Sequence, residues 1–128
     1  MRLVAALCLI LLQGTAIACG YCVEDKIAAT YDHAVVTKAL AEKHQVAFFH
    51  LEGGAPGGKI EAAAYAAGAD RSSVRVSADA LTLALAFDPR RVRLVELQAR
   101  IEKRVAGASL MPLRVMERPG DFSRVARP

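Results

Sequence analysis

Residues 74–89 read VRVSADALTLALAFDP, and this stretch decides the fold. Val74 and Val76 alternate with Arg75 and Ser77, a period of two that predicts a strand. Ala78-Asp79-Ala80 turns the chain. Leu81, Leu83, Leu85 and Phe87 then share one face of a second strand, with the small residues Thr82, Ala84 and Ala86 on the other. Asp88-Pro89 stops it, because proline has no N–H to give to a ladder.

Downstream, residues 90–106 form the best helical pattern in the chain. Leu94, Leu97, Ile101 and Val105 make its apolar stripe, and Arg90, Arg93, Arg100, Lys103 and Arg104 make much of its wet side. Gly107 ends it. Residues 110–116 predict a last strand, in which Pro112 requires an edge position or an irregular start. Upstream, residues 46–50 (Val-Ala-Phe-Phe-His) predict a strand, residues 53–58 (Gly-Gly-Ala-Pro-Gly-Gly) a loop, and residues 59–67 an alanine-rich helix built on Ile60 and Tyr65, capped by Gly68. The order from residue 46 is β-α-β-β-α-β. Two helices can then cover one face of a four-stranded antiparallel sheet, which is an α+β, ferredoxin-like sandwich.

Residues 23–43 predict one further helix, with Val23, Ile27, Tyr31 and Val35 recurring every four residues and Val36, Ala39 and Leu40 widening the stripe. Glu24 and Asp25 suit its first turn and Lys43 its end. Its apolar stripe needs a partner, and the sheet's other face is the candidate. The expected organisation is a signal peptide at 1–18, a Cys-x-x-Cys segment with the N-terminal helix at 19–45, the ferredoxin-like domain at 46–117 and a loose tail at 118–128.

Residues 46–116 resemble the heavy-metal-associated domain of copper chaperones and metal-pumping ATPases. The resemblance rests on Val74-Arg75-Val76, Phe87-Asp88-Pro89, Leu97 with Ile101-Glu102, and Ile60-Glu61. It implies the same ferredoxin-like fold and a soft-metal site just before the first helix of the domain. Counting back from Ile60, that family's two ligand cysteines fall on Gly53 and Pro56, so its metal loop is degenerate here.

The chain carries its own pair of thiols elsewhere, at Cys19-Gly20-Tyr21-Cys22, directly behind an apolar leader. Met1-Arg2, the apolar run 3–12 and Ala16-Ile17-Ala18 form a secretory signal with its cleavage site. The run is shorter than the ~20 residues that a membrane span requires. The expected location is periplasmic or secreted. Ala16-Ile17-Ala18-Cys19 also reads as a lipoprotein signal, and then Cys19 would anchor the chain to a membrane. The full chain carries +4; the leader holds one Arg and no acid, so the rest is one unit less basic. No basic stripe interleaved with aromatics is present, so nucleic acid is not an expected partner. Cys8 leaves with the leader, and two cysteines remain in an oxidising compartment.

Two thiolates suit Cu(I), which prefers soft ligands and accepts low coordination. The expected metal set is Cys19, Cys22 and, as a third ligand at the end of its strand, His50. His33 lies ~16 Å beyond Cys22 along a helix and cannot join them. A rebuilt site would bring the two cysteines beside the loop 53–58. The expected role is binding or delivery of copper and not enzymatic catalysis, with the arginine-rich helix available to an acidic envelope partner. Two alternatives stay open. The chain is a non-catalytic interaction module that has lost metal binding, or Cys19 and Cys22 form a disulfide, structural or redox-active.

Overall fold

The computed structural model describes residues 22–119 and 121. Within them, α1 is Val23–Thr30, α2 is His33–Ala41, β1 is Gln45–Glu52, α3 is Gly57–Ala67, β2 is Arg75–Ser77, β3 is Thr82–Phe87, α4 is Leu94–Arg104 and β4 is Ser109–Met116. The strands form one antiparallel sheet in the order β2-β3-β1-β4. Helices lie on both faces, so the chain is a mixed α/β protein compatible with the α+β class.

The alternation read from residues 81–87 sorts the two faces. Leu83, Leu85 and Phe87 join Ala47 and Phe49 of β1 in a core closed by Ile60, Ala64 and Ala67 of α3 and by Leu97 and Ile101 of α4. Ala84 and Ala86 join Val46 and Phe48 on the opposite face, closed by Ile27 of α1 and by Val36 and Ala39 of α2. Phe48 and Phe49 are both essentially inaccessible, one on each face. Each contributes about 2–3 kcal/mol of transfer free energy. Leu81 departs from its expected place. It sits in the β2–β3 turn with φ +52 and is nearly half exposed.

The single helix expected over residues 23–43 is two helices. The chain is extended at Tyr31 and Asp32, and the Asp32 carboxylate accepts hydrogen bonds from the N–H groups of Ala34 and Val35 to cap α2. The reason lies in the phase of the apolar residues. An unbroken helix turns about 100° per residue, which would set Val36 about 180° from Ile27. Only a break lets both reach the sheet. Asp32 is also tied to Arg75 of β2 by contacts of 3.0 and 3.2 Å.

Polar ties show how α1 lies. Glu24 reaches Arg114 of β4 at 2.6 Å, Lys26 reaches His50 of β1 at 3.1 Å, and Asp32, just past the helix, reaches β2. Eight residues of helix span ~12 Å and four strands ~14 Å, so α1 straps the sheet from one edge strand to the other.

Pro112 is where its chemistry requires. It lies on the edge strand β4, beside a register shift in which Phe48 pairs Arg114 and Phe49 pairs Pro112. One residue of β4 is thereby left over, a bulge at the proline. The helix expected over 90–106 begins only at Leu94. Asp88 O accepts the N–H groups of Arg91 and Val92, and its carboxylate accepts the Arg90 N–H, so residues 88–92 form a turn instead. Among the described residues no helix is long and apolar enough to cross a membrane.

Candidate functional site

Cys22 caps the N-terminus of α1 in extended conformation, and its thiol, half-buried, donates to Asp25 Oδ2 at 3.2 Å. It is a free thiol. Cys19 lies outside the described residues. Lys26, the cation in the same helix, is committed elsewhere, to His50 Nδ1 and to the Ala80 carbonyl.

That commitment brings His50 into contact with α1. Its Nδ1 lies 3.1 Å from the Lys26 ammonium and 3.1 Å from Leu81 O. In one tautomer Nδ1 accepts from the ammonium; in the other it donates to the carbonyl. Its Nε2 lies 3.9 Å from a Glu52 oxygen. The Lys26 ammonium stands against Nδ1 and leaves Nε2 as the nitrogen that could ligate. The contact also links α1 to the sheet. His33 is exposed and near Tyr31 and Thr37.

The loop 53–58 is filled by its own chain. Gly53 has φ +101, and a Cβ added there would fall 1.8 Å from Gly107 O. The connection from α4 to β4 thus lies directly against the position where the resembling family carries a ligand. The loop opens α3, on the face opposite to α1 and its cap Cys22.

A second group of chemically capable residues gathers where three loops meet. α2 ends in a Schellman turn: Lys43 N–H donates to Leu40 O, His44 N–H donates to Ala39 O at 2.8 Å, and Lys43 takes φ +61. This turn aims His44 at residues 70 and 88. Asp70 is held by its N–H to Ala86 O at 2.7 Å, while its carbonyl accepts Ser73 Oγ–H. Asp88 ends β3. His44 Nδ1 lies 2.6 Å from Asp70 Oδ2 and 3.9 Å from Glu42 Oε2, and its Nε2 lies 3.7 Å from Asp88 Oδ2. The His44 and Asp88 side chains are only 16% and 14% exposed. Hydrogen bonding from the Arg90 guanidinium and N–H holds the Asp88 carboxyl down at about 2. Lys38 and Arg71 also line the cleft beside His44 and Asp70.

Sequence reasoning passed over this group. Asp88 read only as a strand stop, and neither His44 nor Asp70 stood out. Residues 44, 70 and 88 have no motif spacing, and only the packing of three connections brings them together. No family model, no curated protein and no solved structure matches this chain.

Proposed function

We propose that this chain is an exported, non-enzymatic binding protein for a soft metal ion, Cu(I), held by Cys19 and Cys22 as thiolates. The observation that carries the proposal is the Cys22 thiol. It is half-buried at the head of α1 and donates a hydrogen bond to the Asp25 carboxylate, which favours a cation nearby. Cys19 precedes Cys22 by three residues in sequence. His50 stays the third ligand of the set through Nε2, since Lys26 stands against Nδ1 alone. The ferredoxin-like reading belongs to the same proposal. The element order β1-α3-β2-β3-α4-β4 and the spatial order β4-β1-β3-β2 support it, with α1 and α2 as an added layer. The membrane enters only through a lipidated Cys19, and an acidic envelope protein is the partner that Arg90, Arg93, Arg100 and Arg104, on α4 and the turn before it, would suit.

The test is Cu(I) titration of the chain recovered from the cell envelope against a chromophoric Cu(I) chelator, with intact mass and free-thiol counting. One Cu(I) per chain, lost in both Cys19→Ser and Cys22→Ser, is the expected result. An acylated Cys19, or Cu(I) binding that survives both substitutions, would refute the dithiol site. A metal-free disulfide form that exchanges readily with reduced thiols would move the function to redox chemistry.

A further inference from the structure

We propose that His44, Asp70 and Glu42 form a second metal site, for a divalent cation of borderline hardness such as Zn(II), with Asp88 as the carboxylate that orients the histidine. The proposal is independent of the dithiol.

The donor set is one imidazole nitrogen and two carboxylates, and one ligand atom from each lies within 4.8 Å of the others. A tetrahedral Zn(II) site with bonds near 2.0–2.1 Å separates its ligand atoms by ~3.4 Å. The distance from His44 Nδ1 to Asp70 must therefore open from 2.6 Å, and that to Glu42 must close from 3.9 Å. Both shifts are below 1 Å. The larger shift falls on the His44–Asp70 pair, and the half-exposed Glu42 side chain makes the smaller one. Three protein ligands leave the fourth position to water, and the site opens into a cleft of about 440 Å³.

The surroundings favour a cation. Asp88 stands 3.7 Å from Nε2, on the ring edge opposite the ligand atom. Metal-bound histidines commonly donate their second ring N–H to a carboxylate in this manner, which fixes the tautomer and raises ligand basicity. When the ion binds Nδ1, a neutral ring moves its proton to Nε2, facing Asp88, and a charged ring releases one proton to solvent. Three carboxylates face His44: Asp70, Glu42 and Asp88. Against them stand Arg90, which is spent on Asp88, Arg75, which is tied to Asp32, and Lys38, Arg71 and Arg91 on the walls of the cleft, so the carboxylates prevail by being nearest to the ring. Main-chain constraints already hold His44, Asp70 and Asp88, so little ordering remains to be done when the ion arrives.

The experiment uses the chain with Cys19→Ser and Cys22→Ser, which separates this site from the dithiol. Zn(II) is titrated against a chromophoric chelator, and Co(II) is added separately for its visible absorption. One Zn(II) per chain is expected, with a tetrahedral Co(II) spectrum that lacks sulfur charge-transfer bands. His44→Gln or Asp70→Asn should weaken Zn(II) at least 100-fold, and Asp88→Asn should weaken it 10- to 100-fold. A measurement that needs no ligand variant is NMR of the three histidine rings during Zn(II) addition. Only the His44 resonances should move in a 1:1 titration. The proposal is overturned by absence of Zn(II) binding, by movement of His33 or His50 instead of His44, or by affinity that survives His44→Gln in a protein with native circular dichroism.

Discussion

Three glycines of one loop should respond differently to the same substitution. Gly53 has φ +101, and its added Cβ would stand 1.8 Å from Gly107 O and 2.8 Å from Gly107 C, both backbone atoms that cannot swing aside. Holding an L-residue at positive φ costs about 1–2 kcal/mol. Displacing a packed connection adds about 1–3 kcal/mol. Gly53→Ala should therefore lose about 3 kcal/mol or more. Gly54 has φ +67 with nothing within 4 Å of an added Cβ, so Gly54→Ala carries only the backbone cost, about 1 kcal/mol. Gly58 lies inside α3 with open space at its Cβ, and Gly58→Ala should stabilise by about 0.5 kcal/mol through helix propensity. Urea unfolding, at a slope of about 1–1.5 kcal/mol/M, would read these as midpoint shifts of ~2 M or more, under 1 M, and a small rise. If Gly53→Ala cost no more than Gly54→Ala, the packing of the 107–108 connection on the loop would be refuted. The same contact forbids cysteine at position 53. The metal loop of the resembling family cannot be restored by substituting residues 53 and 56.

Lys43 holds a left-handed position that glycine fills without strain, so Lys43→Gly should raise stability by about 0.5–1 kcal/mol in urea unfolding and leave Zn(II) affinity at His44 unchanged. Thr30 Oγ1 is buried with no hydrogen-bond partner among the described residues, and Thr30→Val should gain about 1 kcal/mol in the same assay. Ile27 is fully buried beneath the sheet, and Ile27→Ala should cost about 2–5 kcal/mol, with hydrogen exchange accelerated first in α1. The Val35 N–H and then the Arg75 guanidinium lower the Asp32 carboxyl below its ordinary 3.8. A group depressed in the folded state contributes stability above its unfolded value and loses it as pH falls through the folded one. The advantage of the native chain over Asp32→Asn should thus be constant above about pH 4.5 and shrink below pH 3.8, as followed by urea midpoints across that range.

The strands and helices from residue 46 onward were legible because they carry their own signals. The period of two in residues 81–87 assigned each side chain to its face, and Pro112 announced an edge strand with a fault in its register. Element boundaries were less legible where side chains compete with helix formation. Asp88 binds the N–H of Arg90 and holds residues 88–92 in a turn, although Arg90 and Arg93 read as the wet side of the helix that follows. The break at Tyr31-Asp32 left a cap signal in the sequence, an aspartate ahead of Ala34 and Val35. The four-residue recurrence of Val23, Ile27, Tyr31 and Val35 concealed it. That recurrence is not the buried stripe. The buried residues are Ile27 and Thr30, then Val36 and Ala39, two stripes out of phase. His50 was legible as a polar residue at a strand end, and its engagement by Lys26, distant in sequence, was not.

The small residues of β3 connect this layer to the proposed sites. Ala84 and Ala86 face α1 and α2, whereas Leu83, Leu85 and Phe87 face α3 and α4. Alanines on a sheet face let helices approach closely, and the short reach of Lys26 to the Ala80 carbonyl and of Asp32 to Arg75 depends on that approach. The added layer begins at Cys22 and ends at the Schellman turn that presents His44. Both proposed sites are therefore placed by one pair of short helices, which stay in register with the sheet through Ile27, Val36 and a few polar ties. A helix of eight residues is unstable alone in water, so the head of α1 keeps its geometry only while the layer is docked. Metal bound at either end would stabilise the docked layer by linkage, and docking would in turn raise affinity at the other end. If both sites hold metal, coupling between them would follow from this shared layer even though their donor sets share no residue.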